Sequence, residues 1–159
     1  MRDSQRAKVY AAEEFVRTLF DRAAQHGNAS IDFFGTTLTL PPEARFASVE
    51  SVRRYVDDVL AMPAVRGRWP EAGQLAVRAR RGQTAAHYES GTIAVPDRHT
   101  TWALRELVVL HEIAHHLAGA GAPHGREFVG TMTELAGWVM GPEVQHVLRV
   151  IYAKEGVAG

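Results

Sequence analysis

Residues 111–115 read His-Glu-Ile-Ala-His, and they lie within a segment whose apolar periodicity predicts a buried helix from Trp102 to Ala118. On a helix, residues i and i+4 project from one face, one turn apart, so His111 and His115 can bind a single metal ion. Glu112 is displaced by about 100° around the helix axis, beside such an ion rather than toward it. The motif therefore predicts a zinc site with Glu112 as the general base for a zinc-activated water.

The surroundings of the motif strengthen this interpretation. Two histidines and a glutamate are costly to bury among Val108, Leu110 and Ile113 unless they have partners. A metal ion would provide that partner. The alternatives are a chance occurrence of the pattern and a purely polar network in the core.

A catalytic zinc usually has three protein ligands and one open position. His124 follows His115 after a loop of eight residues rich in Gly and Pro, so the chain has room to turn back toward the ion. Glu134 is the alternative third ligand, because thermolysin-like enzymes place a glutamate at a similar separation, although their Glu-x-x-x-Asp context is absent here. We favour His124, since a neutral imidazole suits zinc.

The combination of His111-Glu112-x-x-His115 with a downstream His124-Gly125-x-x-Phe128 resembles the SprT-like zincins and small bacterial metallohydrolases of similar length, over residues 85–130. The resemblance implies a zincin fold with a sheet above the active-site helix, three histidine ligands and a glutamate base. It also implies a peptide or protein substrate. Two features differ from the SprT-like pattern: His116 stands where a small residue is usual, and no cysteine-bearing zinc ribbon follows.

Composition excludes several other classes of protein. The 159 residues include 18 basic and 18 acidic side chains, and this balance argues against general attraction to nucleic acid or to anionic membranes. One local basic stretch is interpreted as a solvated strand face and comprises Arg66, Arg68, Arg78, Arg80 and Arg81. The chain has no cysteine, so a metal must be held by His, Asp or Glu. Without a secretory signal pattern or a long apolar run, we expect a cytoplasmic protein.

The predicted fold is α+β, a single minimal zincin-like domain over residues 1–159 with a short, mainly antiparallel sheet packed on the active-site helix. The predicted helices are residues 4–26, a helix capped by Ser48 and ended by Pro63, 102–118, one beginning near His124 and one after Pro142. The predicted strands are 36–40, then 75–80, 85–89 and 92–96 as an antiparallel meander. We further expect Thr92–Pro96 to be an exposed edge strand nearest the metal, able to pair with an extended peptide.

Several polar residues near the motif have less definite roles. His116 points about 100° away from His115, so we interpret it as a packed histidine or one that supports a ligand. Glu127, one turn past His124, either orients a ligand or is a solvated helix charge. Candidates that could face the cleft or stabilise an oxyanion, without a preferred role, are His87, His99, Tyr88, Arg126 and Tyr152.

The predicted activity is therefore zinc-dependent hydrolysis, with a peptide bond as the target. One alternative is a non-peptidase amidohydrolase, which a deep and closed pocket would favour. Another is a zinc-binding regulatory module without turnover. Glu112 argues against the second alternative, because a structural zinc site has no need of a base beside its ligands.

Overall fold

The computed structural model describes residues 2–81, 85–97 and 104–159, which form helices and strands in an α+β arrangement, as predicted. In chain order the elements are α1 (Arg6–His26), β1 (Ser30–Phe33), β2 (Thr36–Thr39), α2 (Val49–Ala61), α3 (Pro63–Arg68), β3 (Ala76–Arg80), β4 (His87–Glu89), β5 (Thr92–Pro96), α4 (Glu106–Ala118), α5 (Arg126–Met140) and α6 (Pro142–Lys154). They fall into two compact units, residues 1–42 with 120–159, and residues 43–119. A single domain over residues 1–159 stays a prediction. Among the described helices, none combines the length and the apolar character that a membrane span requires.

The first unit contains three helices, and α6 packs against both α1 and α5. Buried residues recur on α1 every three or four positions, at Val9, Ala12, Val16 and Phe20, and give it one apolar face. The helix predicted over residues 4–26 is confirmed from Arg6 to His26. It ends because Gly27 adopts a left-handed φ of 61°, which lets its N–H reach carbonyls of the last turn.

The same unit holds an antiparallel hairpin of β1 and β2. The strand predicted over residues 36–40 is confirmed, but its partner Ser30–Phe33 was not predicted. Polar and less exposed residues alternate along β1, but the strand is only four residues long, so its sequence signal is short. The turn uses Phe34 and Gly35 at φ of 49° and 83°, the pair of positive φ values that two-residue hairpin turns of type I′ require.

In the second unit, α2 begins where the sequence predicts. Ser48 accepts a hydrogen bond from the Ser51 N–H, and the Ser51 side chain accepts one from the Ser48 N–H, which completes a capping box. Pro63 was predicted only to end this helix. It also starts α3, because proline is well suited to the first position of a helix, where no N–H donor is needed.

The second unit also contains a three-stranded sheet in the order β3-β5-β4, so the predicted meander is wrong. Strand β5 pairs parallel with β3 and antiparallel with β4. The apolar run Ile93-Ala94-Val95 is buried at every position, and such a run favours the centre of a sheet. The three-residue β4 has only one position that is not exposed, which suits an edge.

The position of β5 also corrects the expectation that Thr92–Pro96 is an exposed edge. Its backbone is paired on both sides, so it cannot offer a free edge to a peptide. In the described part of the chain, β4 has a partner strand on one side only, and it is β4 that contacts α4. The open edge next to the helix is therefore His87–Glu89.

Helix α4 begins at Glu106, later than the predicted start at Trp102, which lies outside the described residues. Arg105 is still extended and forms an isolated antiparallel bridge with Arg45. The carboxylate of Glu43 accepts a hydrogen bond from the Leu107 N–H at 3.0 Å. A charged acceptor at this end satisfies an unpaired backbone donor and interacts favourably with the helix dipole, so Glu43 fixes where the helix starts.

We expect Glu43→Gln to destabilise the protein by about 3 kcal/mol. The Glu43 carboxylate binds Arg105 through Nε at 2.9 Å and Nη2 at 2.6 Å, and both side chains are about 95% buried. A neutral amide cannot accept both bonds and cap α4 as well. Urea denaturation measures the loss. Glu50→Gln, which alters the exposed Glu50–Arg53 pair, is the matched control and should cost less than about 1 kcal/mol. Equal effects of the two substitutions would contradict this account.

Candidate metal centre

Helix α4 carries the histidine motif in the second unit, and its first nine residues are all buried. His111 is 4% exposed and Glu112 7% exposed, while His115 is partly buried. This part of the helix is buried around its whole circumference, and burial is the context in which the motif was expected. Two imidazoles and a carboxylate therefore lie in surroundings that penalise polar groups without partners.

The two histidines of the motif face one another. Their Nε2 atoms are 3.2 Å apart, with the ring planes at 75°. Two nitrogens bound to one tetrahedral zinc, each at about 2.0–2.1 Å, would be separated by about 3.3 Å. The spacing therefore fits two ligands of one ion. It also fits a direct imidazole–imidazole hydrogen bond, if one ring donates to the other.

His124 belongs to the first unit and is 4% exposed. It precedes α5 in a tight turn closed by a hydrogen bond of 3.0 Å from the Gly125 N–H to the Ala122 carbonyl. A Cβ atom at position 125 would lie 3.2 Å from the Cβ of Ala122, so the turn favours glycine. The rings of Tyr10 and Phe128 pack around the imidazole at centroid distances of 5.1 and 5.2 Å.

Asp3 determines which ring nitrogen of His124 carries the hydrogen. The Nδ1 atom lies 2.8 Å from the Asp3 carboxylate, and a carboxylate can only accept, so Nδ1 carries the hydrogen. The lone pair is then on Nε2. A histidine that donates from one nitrogen to a carboxylate and binds metal through the other is a common arrangement at zinc sites.

The three predicted ligands are divided between the two units, with His111 and His115 in the second and His124 in the first. His111 and His124 are buried and His115 is partly buried. Glu134, the alternative third ligand, is partly buried on α5 in the first unit. Histidine, rather than a mixed set of carboxylates, would thus be the donor type at this centre, and imidazole nitrogen is well suited to zinc.

No protein-family model, curated protein or solved structure matches this chain. The resemblance to the SprT-like zincins therefore stays a prediction. The chemistry of the centre is inferred from its own side chains.

His116 lies next to the motif and is tied into the fold of the second unit. Its Nε2 is 2.8 Å from the Gly73 carbonyl, which can only accept, so Nδ1 accepts a hydrogen bond from the Tyr88 hydroxyl at 3.0 Å. The Tyr88 oxygen in turn accepts from the Gly91 N–H, and its ring lies parallel to that of His115 at 6.1 Å. His116 is thus a packed histidine, and Tyr88 contacts both histidines at the end of α4.

The remaining candidates are placed as follows. Glu127 is exposed, and Asp3 rather than Glu127 holds His124. His87 is exposed on β4 and lies 3.5 Å from Glu89. Arg126 is exposed, and His99 lies outside the described residues.

Tyr152 was a candidate for oxyanion stabilisation, but its hydroxyl has another partner. The side chain is buried in the first unit and donates a hydrogen bond of 2.6 Å to Glu13. Burial, followed by the negative charge of Glu13, raises the pKa of the Tyr152 phenol well above its ordinary value. Its role is therefore that of a satisfied polar group in the core.

Asp3 is the functional candidate that sequence analysis missed. It lies in the polar segment before α1 and meets a residue 121 positions away. No spacing rule links the two residues, and an aspartate near a polar terminus resembles any solvated charge. Only the tertiary fold identifies it.

Proposed function

We propose that this chain is a zinc-dependent hydrolase, with His111, His115 and His124 as metal ligands and Glu112 as general base. The observation that carries the proposal is the pair of imidazoles on α4, whose Nε2 atoms lie 3.2 Å apart on a helix that also buries Glu112. Three neutral histidines supply the ligand number of a catalytic zinc and leave a position for water or substrate. Because the chain has no cysteine, a sulfur-rich structural site is not an alternative.

The ligand set fits zinc on two further grounds. The His111–His115 nitrogen separation of 3.2 Å is close to the value that tetrahedral geometry requires. The hydrogen bond from His124 to Asp3 leaves Nε2 available as a ligand atom. Zinc, rather than magnesium or calcium, is proposed because those two ions prefer oxygen ligands.

Glu112 would carry the proton transfers of the reaction. When bound, zinc supplies Lewis acidity and lowers the pKa of water. Glu112 accepts a proton from the attacking water and returns it to the leaving group, so the base and the ligands are separate residues. The Glu112 side chain is buried, at 7% exposure. Little solvent therefore reaches the carboxylate to compete with a substrate water for its hydrogen bonds.

A peptide bond is the proposed target, within a zincin-like fold. The sheet contacts α4 through β4, whose outer edge has no partner strand among the described residues. An extended peptide can add to such an edge through main-chain hydrogen bonds. The peptide edge predicted at Thr92–Pro96 is thus reassigned to His87–Glu89.

The proposal is tested by zinc-dependent cleavage of a fluorogenic peptide library. We expect the purified protein to cleave a subset of the peptides, to lose this activity after dialysis against a zinc chelator, and to regain it with about one equivalent of zinc. Glu112→Gln, purified in parallel, controls for a contaminating peptidase. Cleavage that survives complete removal of metal would contradict the mechanism.

The same assay, repeated with a set of small amides, distinguishes the two alternative functions. Cleavage of small amides but not of peptides would indicate an amidohydrolase. Stoichiometric zinc without turnover on either substrate class would indicate a binding or regulatory module.

A further inference from the structure

We infer that Asp3 and Gln5 are positioning residues for His124, Asp3 through the imidazole ring and Gln5 through the backbone. The inference rests on the proposed function, since it concerns how a proposed zinc ligand is held. All of the contacts involved lie within the first unit.

The loop that carries His124 has few constraints of its own. It begins with Gly119 and Gly121 at φ of 72° and 138°, values that side-chain-bearing residues rarely adopt. Between the end of α4 and the start of α5, one tight turn orders the chain. A ligand on such a segment needs support from elsewhere if it is to be held ready for a metal.

Asp3 constrains the ring. The hydrogen bond of 2.8 Å from Nδ1 fixes both the rotation of the imidazole and the tautomer that presents Nε2. The Asp3 side chain is 24% exposed and that of His124 only 5%, so the bond is partly shielded from water. A charged acceptor also makes the imidazole a stronger donor to a metal.

Gln5 constrains the backbone through an amide whose atoms are all engaged. Its Nε2 donates to the His124 carbonyl at 3.0 Å and to the Ala158 carbonyl at 3.1 Å, while its Oε1 accepts from the Ala158 N–H at 2.7 Å. Ala158 itself follows Val157, whose N–H donates to the Tyr152 carbonyl in α6. Gln5 therefore ties the His124 backbone to a segment that is anchored on α6.

The ring effect is tested on metal-free protein by two-dimensional ¹H–¹⁵N NMR of the imidazole nitrogens, which identifies the His124 tautomer. We expect the wild type to show the Nδ1–H form alone. Asp3→Ala should give a mixture of tautomers, and Asp3→Asn should also lose the pure Nδ1–H form, because an amide can donate to Nδ1 as well as accept from it. Asp58→Asn, at an exposed site on α2, is the charge-matched control.

Zinc affinity tests the consequence for the metal. We expect Asp3→Ala to weaken zinc binding by about 10- to 100-fold and Asp3→Asn by less, with circular dichroism unchanged. Gln5→Ala should weaken binding by about 10-fold without altering the tautomer, whereas Gln25→Ala on the exposed side of α1 should change neither.

The outcomes separate this inference from the proposed function. An unchanged His124 tautomer and unchanged zinc affinity in Asp3→Ala would overturn the role of Asp3, and unchanged zinc affinity in Gln5→Ala would overturn the role of Gln5. Both results would leave the zinc site intact. A wild type that takes up no zinc would overturn the proposed function instead, and the tautomer measurement would still decide whether Asp3 orients the ring.

Discussion

His124→Ala should lower zinc affinity by about three orders of magnitude, or roughly 4 kcal/mol, and leave the protein folded. The substitution removes one of the three proposed ligands. Two histidines on one helix bind zinc far more weakly than three ligands that surround it. Titration against a fluorescent zinc indicator measures the change, and circular dichroism reports the fold.

Two matched variants complete this experiment. Glu134→Ala removes the alternative third ligand and should leave zinc affinity nearly unchanged, since His124, whose Nδ1 is bound to Asp3, is the proposed third ligand. His26→Ala removes an exposed histidine of α1 and controls for nonspecific imidazole binding. If Glu134→Ala abolished binding and His124→Ala did not, the centre would have the thermolysin-like ligand set instead.

Glu112→Gln should reduce the rate of hydrolysis by about 1,000-fold while zinc content and stability remain close to those of the wild type. The amide preserves the size and the hydrogen-bonding shape of the side chain but cannot take a proton from water. The three histidines are untouched, so the metal should remain. The effect should appear in kcat more than in KM, because the lost group acts in the transition state.

The exposed Glu127 provides the control for this substitution. Glu127→Gln on α5 makes the same chemical change at an exposed site and should alter neither turnover nor zinc content. Loss of zinc from Glu112→Gln would make Glu112 a ligand. Undiminished turnover in that variant would remove it from the mechanism.

Much of the helical structure could be predicted from local pattern. Helices α1 and α2 follow from apolar residues at helical spacing and from a recognisable stop or start, Gly27 and Ser48 respectively. Helix α4 was placed correctly around His111 and His115, but its start was not. The carboxylate that caps it comes from Glu43, which is distant in sequence, so the local pattern does not reveal where the helix begins.

The order of the strands depended on the same kind of non-local information. Three short strands in succession favour a meander when only turn signals are considered. The decisive feature was the uninterrupted burial of Ile93, Ala94 and Val95, which belongs in a central strand. That run is visible in the sequence. If it had been given more weight than the order of the strands along the chain, β5 would have been predicted between β3 and β4.

The motif residues of the candidate site could be selected from sequence because their spacing encodes helical geometry. The preference for His124 over Glu134 rested on donor chemistry and on loop composition, and it stays a prediction. Asp3 and Gln5 could not be selected, since their contacts depend on how distant segments fold together. Polar residues that hold ligands in place carry no spacing signal of their own.

The metal content of protein purified without chelators tests the central claim most directly. Mass-spectrometric elemental analysis should find about one zinc per chain in the wild type, and far less in a variant that lacks both His111 and His115. Protein that contains no stoichiometric transition metal, and that takes up none at micromolar zinc, would contradict the claim. The 3.2 Å contact between His111 and His115 would then be a hydrogen bond between two imidazoles, and the two residues would not be metal ligands.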